Sequence, residues 1–167
     1  MRRLIFTLLA AAVAVGCTVK YSLSGASIPP DAKTFSVAYF PNNAAMVTPM
    51  LSSTLTDALV DKFSRSTRLT QVSEGGDFAF EGEIVGYTSA TASVSSNDYA
   101  LQNRLTITIR VRFTNLIDEK ASFSNRTFSA YADYDSTKLL TEVESELITQ
   151  IVEQLVNDIF QAAAGNW

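Results

Sequence analysis

Residues 105–113 read LTITIRVRF, and this stretch decides the fold. Apolar and polar residues alternate along it without a break. The apolar members are Leu105, Ile107, Ile109, Val111 and Phe113, and the polar members are Thr106, Thr108, Arg110 and Arg112. Successive side chains of a β-strand point to opposite faces, so the pattern predicts a strand with one face in the core and the other facing water.

Other segments are predicted to join this strand in one sheet, because they are rich in β-branched and aromatic residues and end at turn-forming residues. They are Thr34–Phe40, Phe78–Val85 and Ala121–Tyr134. Leu69–Val72 is a further candidate for an extended segment. Phe123 and Phe128 have opposite parity within their strand. We therefore expect a bulge near Asn125-Arg126 that brings both rings to the core.

Two amphipathic helices are also predicted. The first begins at Thr48-Pro49, where a capping hydroxyl precedes a proline at the first helical position. Its core stripe holds Leu51, Leu55, Ala58, Leu59 and Phe63. The second runs from about Lys138 to Ala164 and ends at Gly165. It carries two apolar ridges, one for the sheet and one expected to contact the first helix, and its acidic residues are expected on its wet side.

The predicted order is strand, helix, strand, strand, strand, helix. We therefore expect an α/β fold, a two-layer sandwich in which a mixed, mostly antiparallel sheet of about four strands carries both helices on one face. The other face of the sheet is then bare, and it is either solvated or covered by a partner. Its expected side chains are Thr106, Thr108, Arg110, Arg112, Glu81 and Glu83.

The start of the chain is typical of an export signal that ends at a lipidated cysteine. It opens with the basic pair Arg2-Arg3, and the apolar run over residues 4–16 is too short to span a bilayer. Small residues precede Cys17, so we predict that this cysteine is acylated and anchors the protein in a membrane. Thr18 stands where lipoproteins kept at the inner membrane often carry aspartate, which favours the outer membrane.

The domain boundaries follow from this pattern. We expect a removed signal peptide over residues 1–16, a lipidated linker over 17–33 and one α/β sandwich domain over 34–167. Loss of the signal peptide removes two arginines and changes the formal charge from −4 to −6. An acidic protein disfavours nucleic acid as a partner, so contact with an anionic ligand requires a local basic cluster.

Composition excludes several kinds of catalytic chemistry. The sequence contains no histidine, and acylation would occupy its one cysteine, which excludes Ser-His and Cys-His nucleophiles and imidazole metal sites. Glu81 and Glu83 lie two apart on one strand face and are candidates for acid/base chemistry, but a solvated strand face explains them better. We therefore predict no catalytic activity, no metal and no cofactor.

Basic residues gather around the central hairpin of this acidic protein. They are Arg104, Arg110, Arg112, Lys120 and Arg126. Guanidinium groups bind phosphate in a bidentate manner, so these residues form a candidate anion site, although pairing with acidic residues on neighbouring strands is an equally good explanation. The long connection Thr88–Asn103 supports an alternative function, in which a free periplasm-facing lipoprotein binds a small ligand or another envelope component.

Four segments together resemble a known family: Tyr21–Pro30, Val37–Asn43, Phe80–Ile84 and Asn166-Trp167. They are similar to the lipopolysaccharide-assembly lipoprotein E family, and the likeness covers nearly the whole mature chain. The resemblance implies an outer-membrane lipoprotein, on the periplasmic side or in a barrel lumen. In this role it plugs the large β-barrel of lipopolysaccharide assembly, helps that barrel to fold and supports delivery of lipopolysaccharide to the cell surface.

The resemblance also implies that basic residues near one end of the sheet contact lipopolysaccharide. On this ground the first candidates are Arg104, Lys120 and Arg126, followed by Arg110 and Arg112.

Overall fold

The computed structural model describes residues 28–46, 48–92 and 102–165. The predicted signal peptide, Cys17, most of the linker and the terminal Asn166-Trp167 lie outside the described residues. The elements in chain order are β1 (Thr34–Val37), α1 (Pro49–Ser66), β2 (Thr70–Gln71), β3 (Phe78–Ala92), β4 (Gln102–Asn115), a turn of 3₁₀ helix (Glu119–Ala121), β5 (Phe123–Asp135) and α2 (Leu140–Ala164).

The strands form one five-stranded mixed sheet in the order β2-β1-β3-β4-β5. β1 is parallel to β2 and β3, whereas β3, β4 and β5 are antiparallel neighbours. The predicted α/β class is confirmed. The expected count of about four strands is wrong, because Thr70 and Gln71 pair with Thr34 and Phe35 as a short edge strand. This strand lies within the further candidate Leu69–Val72, but two residues are too few to show a hydrophobic period, so the pairing decides that the candidate is a strand.

β4 shows the alternation that its sequence predicts. Its five apolar residues, Leu105, Ile107, Ile109, Val111 and Phe113, are completely buried. Its polar residues point the other way, and Arg110 and Arg112 are exposed. β4 lies between β3 and β5, so its apolar face forms the centre of the core, beneath the helices.

The connection between β3 and β4 is shorter than the sequence predicts. The segment Thr88–Ala92 continues β3, and β4 already begins at Gln102, so that Thr88 pairs with Thr106 and Ala92 with Gln102. Small and hydroxylated residues give no hydrophobic period here, but their backbones complete the ladder of hydrogen bonds. The prediction of a loop over Thr88–Asn103 is therefore wrong at both ends, and residues 93–101 lie outside the described part.

The predicted bulge in β5 is confirmed. Val111 pairs with Arg126 whereas Phe113 pairs with Phe123, so the register shifts between these two positions. Asn125 has a φ of 55°, the left-handed conformation that an asparagine tolerates better than most residues. The extra residue turns Phe123 toward the core, where its ring centroid lies 6.1 Å from that of Phe128.

Both helices pack their apolar faces inward, as predicted. In α1, the residues Leu51, Leu55, Leu59 and Phe63 are completely buried. In α2, both ridges are buried: Leu147, Ile151, Leu155 and Ile159 in one, and Ile148, Val152, Val156 and Phe160 in the other. The second ridge contacts α1, because the Phe160 ring lies 5.1 Å from the Phe63 ring. α2 begins at Leu140 rather than at about Lys138. At this start the Leu139 N–H donates a hydrogen bond to the Glu142 carboxylate in the first turn of the helix.

Phe63 is the point where α1, the sheet and α2 meet. Its ring centroid lies 5.8 Å from that of Phe35 in β1, 4.6 Å from that of Phe80 in β3 and 5.1 Å from that of Phe160 in α2. Phe80 in turn stacks on Phe113 of β4 at 4.8 Å. Tilted and offset ring pairs at these distances are favourable, so the aromatic cluster joins the two layers of the sandwich.

Gly82 of β3 faces the core and receives the ring of Phe40. A Cβ added at Gly82 would overlap that ring and lie 2.5 Å from the carbonyl oxygen of Arg110. We expect Gly82→Ala to lower the free energy of unfolding by about 1–3 kcal/mol, since overpacking forces the backbone to move. Gly86→Ala is the control, because its Cβ would meet the Thr108 side chain at 3.1 Å. Urea unfolding of both variants tests this, and equal losses would contradict it.

Candidate functional site

The open face of the sheet is the side of β3, β4 and β5 that points away from the helices. The helices and the buried side chains lie on the opposite side, as the sequence predicted. On the open face, Arg110, Arg112, Ser129 and Tyr131 are exposed. Within the described ranges, neither helix is both long and apolar enough to span a bilayer.

Two cross-strand ion pairs lie at the centre of this face. The Arg110 guanidinium donates to Glu83 at 2.8 Å, and the Arg112 guanidinium donates to Glu81 at 3.4 Å. Asn43 also donates from its side-chain amide to Glu83 at 2.7 Å. Each pair lies directly opposite across β3 and β4. The two carboxylates are therefore bound by arginines around a shallow depression of about 300 Å³, which does not favour acid/base chemistry.

Arg104 is held on the same face by two residues of β5. Its Nε and one terminal nitrogen donate to the two carboxylate oxygens of Asp133 at 2.7 and 2.9 Å. Its guanidinium carbon lies 3.7 Å from the centre of the Tyr131 ring. The hydrogen bonds from Arg104 lower the pKa of the Asp133 carboxyl and raise the pKa of the guanidinium. The bidentate geometry and the stacked ring fix this arginine, so it is not available as a free cation.

Lys120 and Arg126 differ from the other three candidates. Within the described ranges, no carboxylate oxygen lies within 4.0 Å of either side-chain charge. Both residues line a groove of about 610 Å³ with Ile28, Pro29 and Ser122. The guanidinium of Arg126 also lies 5.2 Å from the centre of the Phe128 ring. The structure therefore divides the predicted basic cluster into three paired arginines on the open face and two cations at one end of the sheet.

Sequence reasoning missed several residues that organise these surfaces. Tyr131 and Asp133, which hold Arg104, were treated only as part of a strand. Their alternation with buried Ala130 and Ala132 is the signal that could have placed them on the open face. Among the described residues, no group of three or more carboxylate, thiol or imidazole side chains is positioned to hold a metal ion.

Glu144 was also misjudged, because the sequence pattern assigns it to the wet side of α2. The Thr48 hydroxyl donates to Glu144 at 2.9 Å instead of capping α1, and the Tyr87 hydroxyl donates to the same oxygen. One carboxylate therefore links the entry to α1, strand β3 and helix α2. The prediction of a hydroxyl cap is wrong, because the Thr48 hydroxyl bonds to Glu144 of α2 rather than to the backbone of α1.

Tyr87 supplies a prediction on pH dependence. Burial and the hydrogen bond to Glu144 raise the pKa of Tyr87 to about 12, against roughly 10 in an unfolded chain. The folded state therefore retains the phenol proton of Tyr87 to a higher pH than the unfolded chain does. The stability that this difference contributes is complete below pH ~10 and is lost as the pH rises toward 12. We expect wild type to lose more unfolding free energy than Tyr87→Phe between pH 8 and pH 11. Urea unfolding at both pH values tests this, and equal losses would contradict it.

Comparison with known proteins identifies the family. The model of the Lipopolysaccharide-assembly family, LptE, matches residues 32–163. The chain belongs to the LptE family. Membership assigns the protein to lipopolysaccharide assembly. It also agrees with the family resemblance seen in the sequence, and the matched residues include every described helix and strand except Ala164, the last residue of α2.

Solved structures share the LptE-family fold at low sequence identity. The hypothetical protein CT253 from Chlamydia trachomatis matches with a TM-score of 0.52 and 7% identity, over 79% of this chain and 98% of that chain. A putative neuraminyllactose-binding hemagglutinin homolog from Helicobacter pylori matches with a TM-score of 0.51 and 10% identity, over 87% and 92%. These likenesses concern the fold alone. No curated protein sequence gives a significant match to the chain.

Proposed function

We propose that the protein is an outer-membrane lipoprotein, anchored by acylated Cys17, that plugs the large β-barrel of lipopolysaccharide assembly and helps that barrel to assemble. In this role it binds and positions partners and carries out no catalysis. The observation that carries the proposal is the open face, a polar sheet surface that lies opposite both helices. Membership in the LptE family supports the same role.

The chemistry of the open face suits the interior of a wide barrel. Side chains that face the lumen of such a barrel are polar, so a plug needs a surface rich in hydrogen-bonding groups and poor in unpaired charge. The hydroxyls of Thr108 and Ser129 lie 3.0 Å apart on this face, between Arg104 and Arg110 along β4. The paired arginines neutralise the carboxylates on either side of these hydroxyls. Such a surface can approach a polar wall without leaving isolated charges between the two proteins.

The lipid anchor supports this assignment by keeping the domain near its partner. Two or three acyl chains give stable attachment, since each buried CH₂ contributes about 0.8 kcal/mol. A tethered domain also has a higher effective concentration beside a barrel in the same membrane than a free one. Anchoring therefore raises occupancy of the barrel without any additional contact.

We assign lipopolysaccharide contact first to Lys120 and Arg126. Lipopolysaccharide carries phosphate and carboxylate groups, and these two cations have no acidic partner among the residues that the structure describes. Arg104, Arg110 and Arg112 would have to break existing ion pairs before binding an anion. Free cations bind phosphate without that cost, so the groove at this end of the sheet is the better site.

Charge reversal tests this assignment. We expect the double variant Lys120→Glu with Arg126→Glu to bind fluorescent lipopolysaccharide at least about tenfold more weakly than wild type, because two attractive contacts become repulsive. The matched control is Lys138→Glu with Arg65→Glu, which changes the net charge by the same amount elsewhere on the surface. If both double variants bind equally, the anion site does not lie in this groove.

The proposed plug is tested by recovering the tethered protein from membranes extracted in mild detergent. We expect one large barrel protein to copurify with it in near-equal amounts, as judged by gel electrophoresis and mass spectrometry. The Cys17→Ser variant is expected to recover less of the barrel, because it lacks the anchor. Recovery of wild type as a lone monomer would contradict the proposal.

A further inference from the structure

The turn between β4 and β5 presents two adjacent aliphatic side chains to solvent. Leu116 is 60% exposed and Ile117 is 40% exposed, directly after Asn115, which is only 3% exposed. Single exposed apolar residues are common and need no explanation. Two neighbours at the end of a turn form a small apolar surface, which we call the aliphatic tip (Leu116 and Ile117).

Hydrogen bonds hold the aliphatic tip in this exposed position. The Leu116 N–H donates to the carbonyl oxygen of Asp77 at 2.9 Å. The side-chain oxygen of Asn115 accepts from the N–H groups of Ile117 and Asp118, each at 2.9 Å, and the Asn115 N–H donates to the Ser122 hydroxyl at 2.9 Å. The turn is therefore ordered before any partner binds, and little conformational entropy is lost on contact.

The aliphatic tip lies at the end of the domain where the anchored chain enters. Asp118 and Lys120, which follow the tip, line the same groove as Ile28 and Pro29. Ten residues separate Ile28 from Cys17. The covalent length of this segment limits its span to at most roughly 40 Å. Acyl chains on Cys17 therefore keep this end of the domain within roughly 40 Å of the bilayer surface.

We infer that the aliphatic tip is a membrane-contact surface that inserts at the headgroup boundary of the bilayer holding Cys17. The inference rests on the lipid anchor of the proposed function and adds a fixed orientation of the domain on the membrane. Asp118 and Glu119 follow the tip, and the basic residues Lys120 and Arg126 line the groove beside it, so acidic and basic charges near the tip balance. An anionic surface attracts segments with a net basic charge and offers no such attraction here, so the matching surface is a zwitterionic one, such as phosphatidylethanolamine.

Leu139 provides a matched control at the opposite end of the sheet. It is 68% exposed and lies just beyond the end of β5. The 13 residues of β5 span roughly 40 Å at the usual rise of a strand, so Leu139 is far from the tip. Leu139 and the aliphatic tip therefore both expose aliphatic side chains to solvent, but only the tip lies near the anchored end of the domain.

The test measures the depth of single labels in the acylated protein, reconstituted in vesicles of phosphatidylethanolamine and phosphatidylglycerol. A cysteine is introduced by Ile117→Cys or by Leu139→Cys and labelled with an environment-sensitive fluorophore; the Cys17 sulfur is already in a thioether. We expect a blue shift and quenching by spin-labelled lipid at position 117, at least about twofold stronger than at 139. Adding Leu116→Asp should abolish the difference, and a larger phosphatidylglycerol fraction should not increase it.

The outcomes separate this inference from the function on which it rests. Equal quenching at positions 117 and 139 in acylated protein overturns the inference alone. Quenching that grows with the phosphatidylglycerol fraction overturns the assignment to a zwitterionic surface. Mass spectra without acyl groups on Cys17 overturn both the anchor and the inference. Selective quenching at 117 in a protein that recovers no barrel overturns the plug and supports the tip.

Discussion

The double variant Arg110→Glu with Arg112→Glu is expected to reduce recovery of the barrel complex at least about tenfold, because like charges brought together in an interface cost several kcal/mol. In wild type these arginines pair with Glu83 and Glu81 on the open face. The variant replaces two neutral pairs by four neighbouring carboxylates. A barrel wall that surrounds this face would then have to desolvate all four without partners.

The matched control reverses two cations on α1. Lys62→Glu with Arg65→Glu changes the net charge equally and also breaks an exposed pair, since Arg65 lies 2.9 Å from Asp61. We expect this control to keep near wild-type recovery from mild-detergent extracts. Exposed ion pairs contribute about 0–1 kcal/mol each, so both double variants should stay folded, which circular dichroism and urea unfolding check. Equal recovery from the two variants would exclude the open face as the barrel contact.

Phe63→Ala is expected to lower the free energy of unfolding by about 3–5 kcal/mol, the range for removal of a buried aromatic ring. The ring contacts Phe35, Phe80 and Phe160, which belong to three different elements. Its loss leaves a cavity where α1, the sheet and α2 meet, and these rigid elements cannot easily close around it. Since a domain of this kind has a stability of about 5–15 kcal/mol, the change removes a large share of it.

Two controls separate the cavity from other effects at this place in α1. Phe63→Leu keeps an apolar side chain and should cost less than about 2 kcal/mol, because it removes less volume. Ser64→Ala, on the exposed side of the same helical turn, should change stability by no more than about 0.5 kcal/mol. The midpoint and slope of urea unfolding provide the measurement. A loss below 2 kcal/mol for Phe63→Ala would show that the helices can close the gap.

The predictions from hydrophobic periodicity were the most accurate. LTITIRVRF predicted the strand β4 and both of its faces, and the two apolar ridges of α2 were also predicted. The bulge near Asn125 followed from the parity of Phe123 and Phe128. These features are local, because a strand or helix repeats its side-chain directions every few residues.

The basic cluster was predicted as a set of residues but not as a site. Arg104 and its partner Asp133 are 29 residues apart in sequence, and Arg110 and Glu83 are 27 apart. Only the register between strands decides that these charges meet. Lys120 and Arg126 lie in and beside a turn, where no opposite strand position supplies a carboxylate within the described ranges. Sequence alone could not separate the two groups.

The sequence by itself determined the type and order of the main strands and helices and which side of each is apolar, and it predicts a leader that ends at Cys17. It did so because periodicity and local composition act within one element. Tertiary structure alone decided the edge strand β2, the extension of β3 to Ala92, the link of Thr48 and Tyr87 to Glu144, and which arginines are neutralised. Each depends on backbone pairing or on side chains from distant segments, which meet only after the sheet has formed.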